Sequence, residues 1–397
     1  MWFLIRKPRM EIAVYFAAMG AGASAAALAV LIAYWMLRPN RSRVDPTLEL
    51  ATWNAVADGL HNSNTDLIFW RDHFYLVHAA SPFHLGSKRC RLVVRRSRDA
   101  RIWETVAERK IPGEDIRDPK FATVGDRLFL YALPNRGLRA TPYGTVYAIS
   151  NDGVHWPAFE TIDHPGWLFW RPKTYDGRNW YVGAYWHQHG KSILLTSTDA
   201  IHWSIVSEIY HGEGNDETDI EFLPDGHLLA TARLEVTPDN PWGNPNASTL
   251  IAVASPPYTE WRYAKSQVTR LDGPALFRYD GRIFAVARYQ PGTRGRCTKL
   301  GSVFSRKRTS LFLVEENRLV YLSDLPSAGD TSYAGVVLRD GYLYASYYTS
   351  NIGRDYPWLV GMLVRSDIRV AKVGLESLVH LAQVSAASTR SNSTMTA

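Results

Sequence analysis

SRDARIW, at residues 97–103, contains a pattern that returns as SNDGVHW at 150–156 and STDAIHW at 197–203. Each copy has a Ser, an Asp two residues later and a Trp four residues after the Asp. A weaker fourth copy, SPPYTEW at 255–261, keeps the Ser and the Trp but has Pro257 at the Asp position. An Asp at this place can fold its carboxylate onto nearby backbone N–H groups, and the Trp can pack beneath the turn. The pattern predicts a hairpin turn that recurs along the chain.

The repeats begin at positions 97, 150, 197 and 255, so they are nearly evenly spaced. Strand-like runs such as RLVVRRS, TVYAIS and SILLTS precede the first three turns. The 21 Tyr, 14 Trp and 14 Phe residues also favour strands over helices. A spacing of about 50 residues is typical of one four-stranded propeller blade, and residues 45–375 have room for six blades. We therefore predict an all-β fold, a six-bladed β-propeller.

An uncharged, largely apolar segment, residues 12–37, precedes the strands. At 1.5 Å per residue, a helix of this length crosses a hydrocarbon core of about 30 Å. We predict a transmembrane signal anchor here, with a cleaved signal peptide as the alternative, although the apolar run is longer than such peptides usually have. Basic residues flank the segment equally on both sides and do not set its orientation.

The expected organisation has five parts: a cytoplasmic N-terminus at 1–11, the transmembrane anchor at 12–37, a linker at 38–54, the propeller at 55–373 and a flexible tail at 374–397. The tail starts with a helical pattern, LESLVHLAQV, and ends in a stretch too poor in apolar residues to be ordered. This organisation predicts a single-pass membrane protein whose propeller lies on the periplasmic or extracellular side.

The formal net charge of +7 is spread along the chain, which argues against nucleic-acid binding and suits an acidic substrate or anionic lipid.

The two cysteines, Cys90 and Cys297, lack metal-ligand spacing and could form a disulfide or stay free. His187 and His189 would share one face of a strand, but no further ligand stands near them in sequence, so we favour substrate contact over a metal. The sequence has no Gly-rich phosphate loop or Ser nucleophile elbow, and we expect no metal or cofactor.

The turn repeats resemble the Asp boxes of the sialidase superfamily, glycoside hydrolases of the family 33 type whose catalytic domain is a six-bladed propeller. The resemblance covers roughly residues 55–355. It implies exo-acting release of a terminal acidic sugar, such as sialic acid, a related ulosonic acid or a uronic acid, through a Tyr nucleophile. Sialic acid carries a carboxylate on its anomeric carbon, so a neutral phenol avoids the like charge that an ionised Asp or Glu would meet.

The resemblance implies roles for four residues. GDTSYAGVV, at 329–337, places Tyr333 at the start of a late strand as the nucleophile, and a phenol with a pKa near 10 needs a base beside it. NDETDIEFLPDGHLLATAR ends at Arg233 and supplies Glu217 as that base. Arg233 and, with it, Arg288 would bind the substrate carboxylate, because a guanidinium has paired donors that fit two oxygens.

EDIRDPKF, at 114–121, resembles the sialidase segment whose Asp contacts the sugar ring substituents, which implies this role for Asp118. Arg117 and Asp115 lie beside it as candidates for a carboxylate clamp and an acid. Because alternate residues of a strand face opposite ways, we expect that Arg117 cannot share a face with both neighbours.

The first blade departs from the resemblance. NSNTDLIFW, at 62–70, has no Arg where sialidases place the first of three, and Tyr347 and Tyr348 stand where a supporting Glu is expected. The role of the missing Arg could pass to Arg117 or to Arg171, and Arg171 in FWRPK also suits a sugar-binding platform.

The sequence does not single out the general acid, for which Asp66 and His84 are rival candidates. Two other functions stay open: a glycan-binding propeller without hydrolytic activity, and a polysaccharide lyase that uses Tyr333 and a His on a uronate. A hydrolase requires the Tyr333 hydroxyl to lie within about 3 Å of a Glu217 oxygen, which a binding module would not need.

Overall fold

The computed structural model describes residues 6–37, 42–235, 248–266, 268–290 and 299–394. Within these ranges the strands form six antiparallel sheets, each of which is one blade of a propeller, so the predicted all-β, six-bladed fold is confirmed. The first strand of a blade lies nearest the central axis, and first strands of neighbouring blades contact one another around much of the ring.

The described helices and strands have the following bounds. Before the first blade come α1 (Arg6–Leu37) and β1 (Leu50–Val56). Blade 1 contains β2 (His61–Trp70), β3 (His73–Ser81), β4 (Arg91–Ser97) and β5 (Glu104–Arg109). Blade 2 contains β6 (Asp115–Val124), β7 (Arg127–Asn135), β8 (Val146–Ser150) and β9 (Glu160–Thr161). Blade 3 contains β10 (Trp167–Phe169), β11 (Lys173–Thr174), β12 (Trp180–Trp186), β13 (Lys191–Ser197) and β14 (Ser204–His211).

Blade 4 contains β15 (Asp216–Phe222), β16 (Leu228–Arg233), β17 (Thr249–Ala254) and β18 (Trp261–Ser266). Blade 5 contains β19 (Asp272–Tyr279), β20 (Arg282–Tyr289), β21 (Arg308–Glu315) and β22 (Arg318–Leu325), with α2 (Lys299–Phe304) between its second and third strands. Blade 6 contains β23 (Thr331–Arg339), β24 (Tyr342–Thr349) and β25 (Asp367–Gly374), with α3 (Trp358–Gly361) between the last two. The last helix is α4 (Leu375–Thr394).

The N-terminal strand closes the ring. β1 pairs antiparallel with β25 and becomes the outermost strand of blade 6, so the sheet reads β1-β25-β24-β23. Residues 50–54, expected to belong to a linker, are therefore part of the propeller. Earlier residues also contact it, because the Arg43 N–H donates to Asp324 at 2.7 Å. The boundary at residue 55 was wrong because the partner of β1 is the last strand of the chain, a distant pairing that local patterning does not reveal.

The segment expected to anchor the chain, residues 12–37, lies within α1. Side chains are described for residues 19–34 of this helix, where Leu28, Val30, Leu31 and other apolar groups are exposed. Among the described residues, no helix is both long and apolar enough to span a bilayer, so the structure does not support the predicted transmembrane anchor.

The tail expected to be flexible at 374–397 forms α4 over most of its length. Its first turns pack against blades 5 and 6 through Leu375, Leu378, Leu381 and Ala382, and Leu378 is fully buried. The LESLVHLAQV pattern correctly predicted a helix. The prediction of disorder was wrong for the residues up to Thr394, because an apolar face docked on the propeller supports a helix that composition alone does not favour.

The repeated turns have the predicted geometry. The Oδ1 atom of Asp152 accepts the N–H groups of Val154 and His155 at 2.8 Å each, and that of Asp199 accepts those of Ile201 and His202 at 2.8 Å each. Asp99 makes the equivalent pair of bonds in blade 1. Two of the repeat tryptophans, at 156 and 203, are buried in the cores that neighbouring blades share. The hydrogen bonds of the Asp carboxylates are local, which is why a short pattern could predict the turns.

Five of the six first strands carry a β-bulge at a corresponding position. The pairing register shifts around Asn64 in β2, Asp118 in β6, Glu217 in β15, Gly273 in β19 and Tyr333 in β23. All five residues have positive φ angles, of 47°, 49°, 27°, 59° and 47° respectively. Blade 3 instead breaks its first strand between β10 and β11. Because a bulge re-aims the side chain of the extra residue, these positions determine what faces the centre of the propeller.

We expect Asp199→Ala to lower the free energy of unfolding by about 1 kcal/mol, within a range of about 0.5–2, because two backbone N–H groups lose their acceptor as at an unpaired helix cap. His202→Ala is the matched control, since it removes only an exposed partner of the same carboxylate and should cost less than about 0.5 kcal/mol. Urea unfolding of both variants measures the difference. Equal losses would contradict a structural role for the turn carboxylate.

Candidate active site

A polar cavity of about 310 Å³ lies where the bulged residues converge. Asn64, Asp118, Glu217 and Tyr333 line it, each from a different blade. The cavity therefore collects side chains that are far apart in the sequence, and the bulges of the first strands bring them together.

Tyr333 and Glu217 form a hydrogen-bonded pair in this cavity. The Tyr333 hydroxyl donates to Oε1 of Glu217, so the contact required for a hydrolase is present. The second carboxylate oxygen, Oε2, accepts the backbone N–H of Gly273 at 2.7 Å, and the Arg233 guanidinium lies 3.0 Å from Oε1. Both oxygens of Glu217 are thus held in place while one faces the phenol.

The surroundings change the proton affinity of both groups. Burial raises the pKa of Glu217 from 4.5 to about 7; Arg233 opposes this shift, while the carboxylates of Asp216 and Asp272 add to it. Burial and the charge of Glu217 raise the pKa of the Tyr333 phenol well above 10, against the opposing effect of Arg288 and Arg233. The phenol is therefore neutral near pH 7 and needs a base to become a nucleophile, and Glu217 can change protonation state in that range.

Two Asp–Arg pairs occupy equivalent places in blades 4 and 5. Asp216 begins β15 opposite Arg233 at the end of β16, and Asp272 begins β19 opposite Arg288 on β20. Arg233 Nε donates to Asp216 at 2.6 Å, and Arg288 Nε donates to Asp272 at 3.0 Å. The two expected arginines, Arg233 and Arg288, therefore both reach the cavity, each oriented by an Asp of its own blade.

Arg270 also lines the cavity, as one of four arginines in the described part of the chain, and was not predicted. Its Nε donates to Asp272 at 2.6 Å and its Nη1 donates to Glu235 at 2.6 Å. Burial alone would raise the pKa of Asp272, but the guanidinium groups of Arg270, Arg288 and Arg233 outweigh burial and hold that pKa well below its ordinary value. Asp272 is thus a stable anion that fixes the arginine cluster.

One guanidinium nitrogen in this cluster can still donate a hydrogen bond to a ligand. Among the described residues, Nη1 of Arg288 has no hydrogen-bond partner although it is buried, and it lies 3.6 Å from Oδ1 of Asp330. The guanidinium carbon lies 5.2 Å from the centre of the Tyr333 ring. A buried, unused donor beside the phenol is suited to an anionic group of a ligand.

Arg117 and Asp118 both line the cavity, contrary to the expectation from strand alternation. The bulge between Arg117 and Lys120 breaks the alternation, and the positive φ of Asp118 turns consecutive side chains to the same side. Arg117 Nε also donates to Asp115 at 2.7 Å, so Asp115 orients the arginine. Asn64 donates to Oδ1 of Asp118 from blade 1.

Asp66 and Arg171 are not in the cavity, so the structure does not favour Asp66 as the acid or Arg171 as a sugar platform. Both are buried between blades, where Arg171 Nη2 donates to Asp66 at 2.8 Å and Arg171 also contacts Asp219 at 3.3 Å. Asp66 further accepts the Phe121 N–H at 2.6 Å. The sequence could not distinguish a cavity-facing charge from one that joins blades beneath it, because Asp66 lies on a first strand and Arg171 lies between β10 and β11, positions that resemble those of the cavity residues.

His84, the rival candidate for the acid, does line the cavity and lies beside Asp330. In the first blade, Asn64 faces the cavity where the resemblance leads one to expect an arginine nearby. Tyr348, which stands where a supporting Glu was expected, donates its hydroxyl to Asp330 at 3.0 Å. Cys90 is buried, and Cys297 lies outside the described residues.

His189 also reaches the cavity, but not as one of two ligands on a strand. β12 ends at Trp186, and His189 lies in the following turn with a φ of 64° and its Nδ1 3.2 Å from Asp216. Asp272 and Arg288 are separated in sequence by nearly the same interval as Asp216 and Arg233, and this repeated spacing could have indicated Asp272. The WHQHG pattern marked His189 as a candidate for substrate contact, whereas no comparable pattern marks Arg270.

Gly273→Ala should destabilise the fold more than Gly281→Ala. Both glycines have positive φ, 59° and 68°, but a Cβ at Gly273 would lie 2.6 Å from Cγ of Tyr333, whereas one at Gly281 would meet only Pro224 at 3.8 Å. The clash should add a loss of about 1–3 kcal/mol in the free energy of unfolding. Urea unfolding of the two variants compares them, and equal losses would mean that Gly273 does not position the Tyr333 ring.

Comparison with known proteins agrees with the fold. No protein-family model matches the sequence, and no curated protein matches it. A mutant of Trypanosoma rangeli sialidase displaying trans-sialidase activity superposes with a TM-score of 0.61 at 11% identity, over 87% of this chain and 61% of that one. T. rangeli sialidase in complex with sialic acid gives 0.58 at 12% identity, over 87% and 61%, and phage phi92 endosialidase gives 0.59 at 10% identity, over 83% and 69%. The chain thus spans about three fifths of the length of the trypanosomal proteins. At these identities the likeness concerns the fold, and the chain has the six-bladed propeller fold of the sialidases.

Proposed function

We propose that this chain is a retaining exo-glycoside hydrolase of the sialidase type that releases a terminal acidic sugar. The hydrogen bond between the Tyr333 hydroxyl and Glu217, inside a buried cavity rich in arginine, is the observation that carries the proposal. A similar structure, the T. rangeli sialidase, holds sialic acid, which supports an acidic sugar as the substrate class.

In the first step, the Tyr333 oxygen attacks the anomeric carbon while its proton passes to Oε1 of Glu217. The bond from that carbon to the leaving oxygen breaks as a general acid donates a proton to that oxygen, and a tyrosyl glycoside forms. Water then attacks the anomeric carbon and gives a proton back to the former acid, while the bond to the Tyr333 oxygen breaks and that oxygen recovers its proton from Glu217. The two displacements give net retention. A neutral phenol suits a sugar with an anomeric carboxylate, because no like charge opposes its approach.

The arginines would bind the sugar carboxylate. Arg288 has the unused Nη1 donor beside Tyr333, and Arg233 and Arg270 add positive charge while Asp216, Asp272 and Glu235 fix their positions. Preorganised guanidinium groups lose little freedom on binding, which favours affinity for an anion in a site shielded from water.

We assign the general acid to Asp118 in place of the two earlier candidates, Asp66, which lies outside the cavity, and His84, whose Nδ1 faces Asp330 at 2.7 Å. Asp118 lines the cavity from blade 2 and makes no ion pair among the described residues, whereas the cavity carboxylate of Glu235 is paired with Arg270. The amide of Asn64 holds one oxygen of Asp118, which leaves the other for the leaving group. A binding module without hydrolysis is the second candidate, because Asn64 stands in the blade where the resemblance expects an arginine.

Product release from a panel of sialosides, other ulosonic acid glycosides and uronic acid glycosides tests the proposal. Tyr333→Phe should lower kcat/KM by at least about 10³-fold on the accepted substrate while the binding of the free sugar, measured by calorimetry, survives. Tyr344→Phe, on the neighbouring strand and outside the cavity, is the matched control. Wild-type protein that binds these sugars but never releases a product would favour the binding module, and full activity of Tyr333→Phe would exclude this mechanism.

The pH profile should report Glu217. With an aryl glycoside, whose phenolate leaves without protonation, kcat/KM should rise with pH and level off above about pH 7, because Glu217, with its pKa raised to about 7, accepts a proton only when ionised. Glu217→Gln should lower the plateau by about 10²–10⁴-fold and remove this ascending limb. A wild-type profile that is flat from pH 5 to pH 8 would be inconsistent with Glu217 as the base.

A further inference from the structure

A second cluster of side chains lies where the ring of blades closes. His61 begins β2 in blade 1, Asp330 directly precedes β23 in blade 6, and His84 follows β3 in a loop of blade 1. The side chains of His61 and Asp330 are fully buried, and that of His84 is 13% exposed and lines the cavity. The chemistry proposed for Tyr333 and Glu217 uses none of these three residues.

Three potential ligand atoms meet in this cluster. Nδ1 of His84 lies 2.7 Å and Nε2 of His61 lies 3.2 Å from Oδ2 of Asp330, and all three atoms are within 4.8 Å of one another. Both imidazole nitrogens form ion-pair contacts with Oδ2 of Asp330, although none of the three atoms has a well-aligned hydrogen bond among the described residues. Two imidazole nitrogens and one carboxylate oxygen around a single buried point are the donor set of a transition-metal site.

The outer contacts of the cluster leave these atoms available. Nδ1 of His61 lies 2.7 Å from the carbonyl oxygen of Val364, so it must carry the proton, and neutral His61 then presents a lone pair at Nε2. Oδ1 of Asp330 accepts the Tyr348 hydroxyl at 3.0 Å and the Trp358 N–H at 2.7 Å, which leaves Oδ2 for another partner. A backbone carbonyl behind a His and hydrogen bonds behind a carboxylate are the usual supports of metal ligands.

We propose that His61, His84 and Asp330 bind one divalent transition-metal ion of the zinc class. Zinc bonds of about 2.0–2.2 Å place ligand atoms about 3.3 Å apart in a tetrahedron, close to the separation of His61 from Asp330. Two imidazoles with one carboxylate favour Zn²⁺ or a similar borderline ion over Ca²⁺ and Mg²⁺, which prefer oxygen ligands. Three protein ligands leave a fourth coordination position.

The ion would stabilise the closure of the propeller. β1 already joins the first and last parts of the fold through backbone pairing with β25, and the ion would add a link between blades 1 and 6 next to the cavity. The ion would also fix the loop that contains His84. The backbone carbonyl oxygen of His84 accepts a hydrogen bond from Nη2 of Arg117 at 3.3 Å. Arg288 Nη1 lies 3.6 Å from Oδ1 of Asp330, the oxygen that does not face the proposed ion, and the Arg288 side chain also pairs with Asp272.

Metal binding to the full-length chain, prepared without a polyhistidine tag and treated with a chelator, tests this site directly. Titration with Zn²⁺ against a competing chelator, together with elemental analysis after dialysis, should give one equivalent per chain, and saturation should raise the thermal unfolding temperature. Co²⁺ in place of Zn²⁺ should give the visible absorption bands of a four-coordinate site. Failure of the chelator-treated wild type to bind one equivalent would overturn the proposal, whatever its glycosidase activity.

Substitutions locate the ion. Asp330→Asn retains the shape of the side chain and should weaken Zn²⁺ binding at least about tenfold, and His61→Gln should abolish stoichiometric binding. His202→Gln is the matched control, because His202 also lies 2.7 Å from an Asp but is exposed on a turn; it should keep one equivalent. Circular dichroism and thermal unfolding identify any variant that fails to fold. Unchanged binding by folded Asp330→Asn, or loss of binding in His202→Gln, would place the metal elsewhere.

Discussion

The bulges in the first strands are the constraint on which the rest of the site depends. A regular strand would turn alternate residues away from the axis, but a positive φ at one position in each of five blades gives the bulges, four of which turn Asn64, Asp118, Glu217 and Tyr333 into the same cavity. Non-glycine residues in this conformation cost of order 1–3 kcal/mol each, so the packed blades around them must hold the strain. At Gly273 the same geometry requires a glycine, because a Cβ would meet the Tyr333 ring.

Burial gives this arrangement its electrostatic character. Removal from water raises the pKa of Glu217, and the nearby anions act in the same direction. Arg233 lowers that pKa, so the carboxyl group can still ionise near neutral pH. The same burial keeps Tyr333 protonated. A weak base next to a neutral phenol is the combination that proton transfer requires, and the aspartates that orient the arginines make that combination stable in a closed site.

The fold repeats one feature that the blades use differently. An Asp stands at the start of the first strand in blades 2, 4 and 5 and directly before it in blade 6, at residues 115, 216, 272 and 330. Its partners are arginines in the first three cases and two histidines in the last. The repeat thus provides an aspartate at the rim of each of these four blades. Where its partner is an arginine, the aspartate orients a guanidinium group; where its partners are histidines, it offers a metal ligand.

The sequence by itself determined the number of blades, because the hydrogen bonds of each Ser–Asp turn are local, the turns recur about every 50 residues, and residues 45–375 have room for six such units. Its resemblance to sialidases also pointed to Tyr333 and Glu217, whose contact the structure contains. Tertiary structure alone decided that Arg270 enters the cavity, that Asp66 and Arg171 lie beneath it, and that β1 completes blade 6. These outcomes depend on bulges that interrupt strand alternation and on contacts between residues far apart in the chain, so no local pattern contains them.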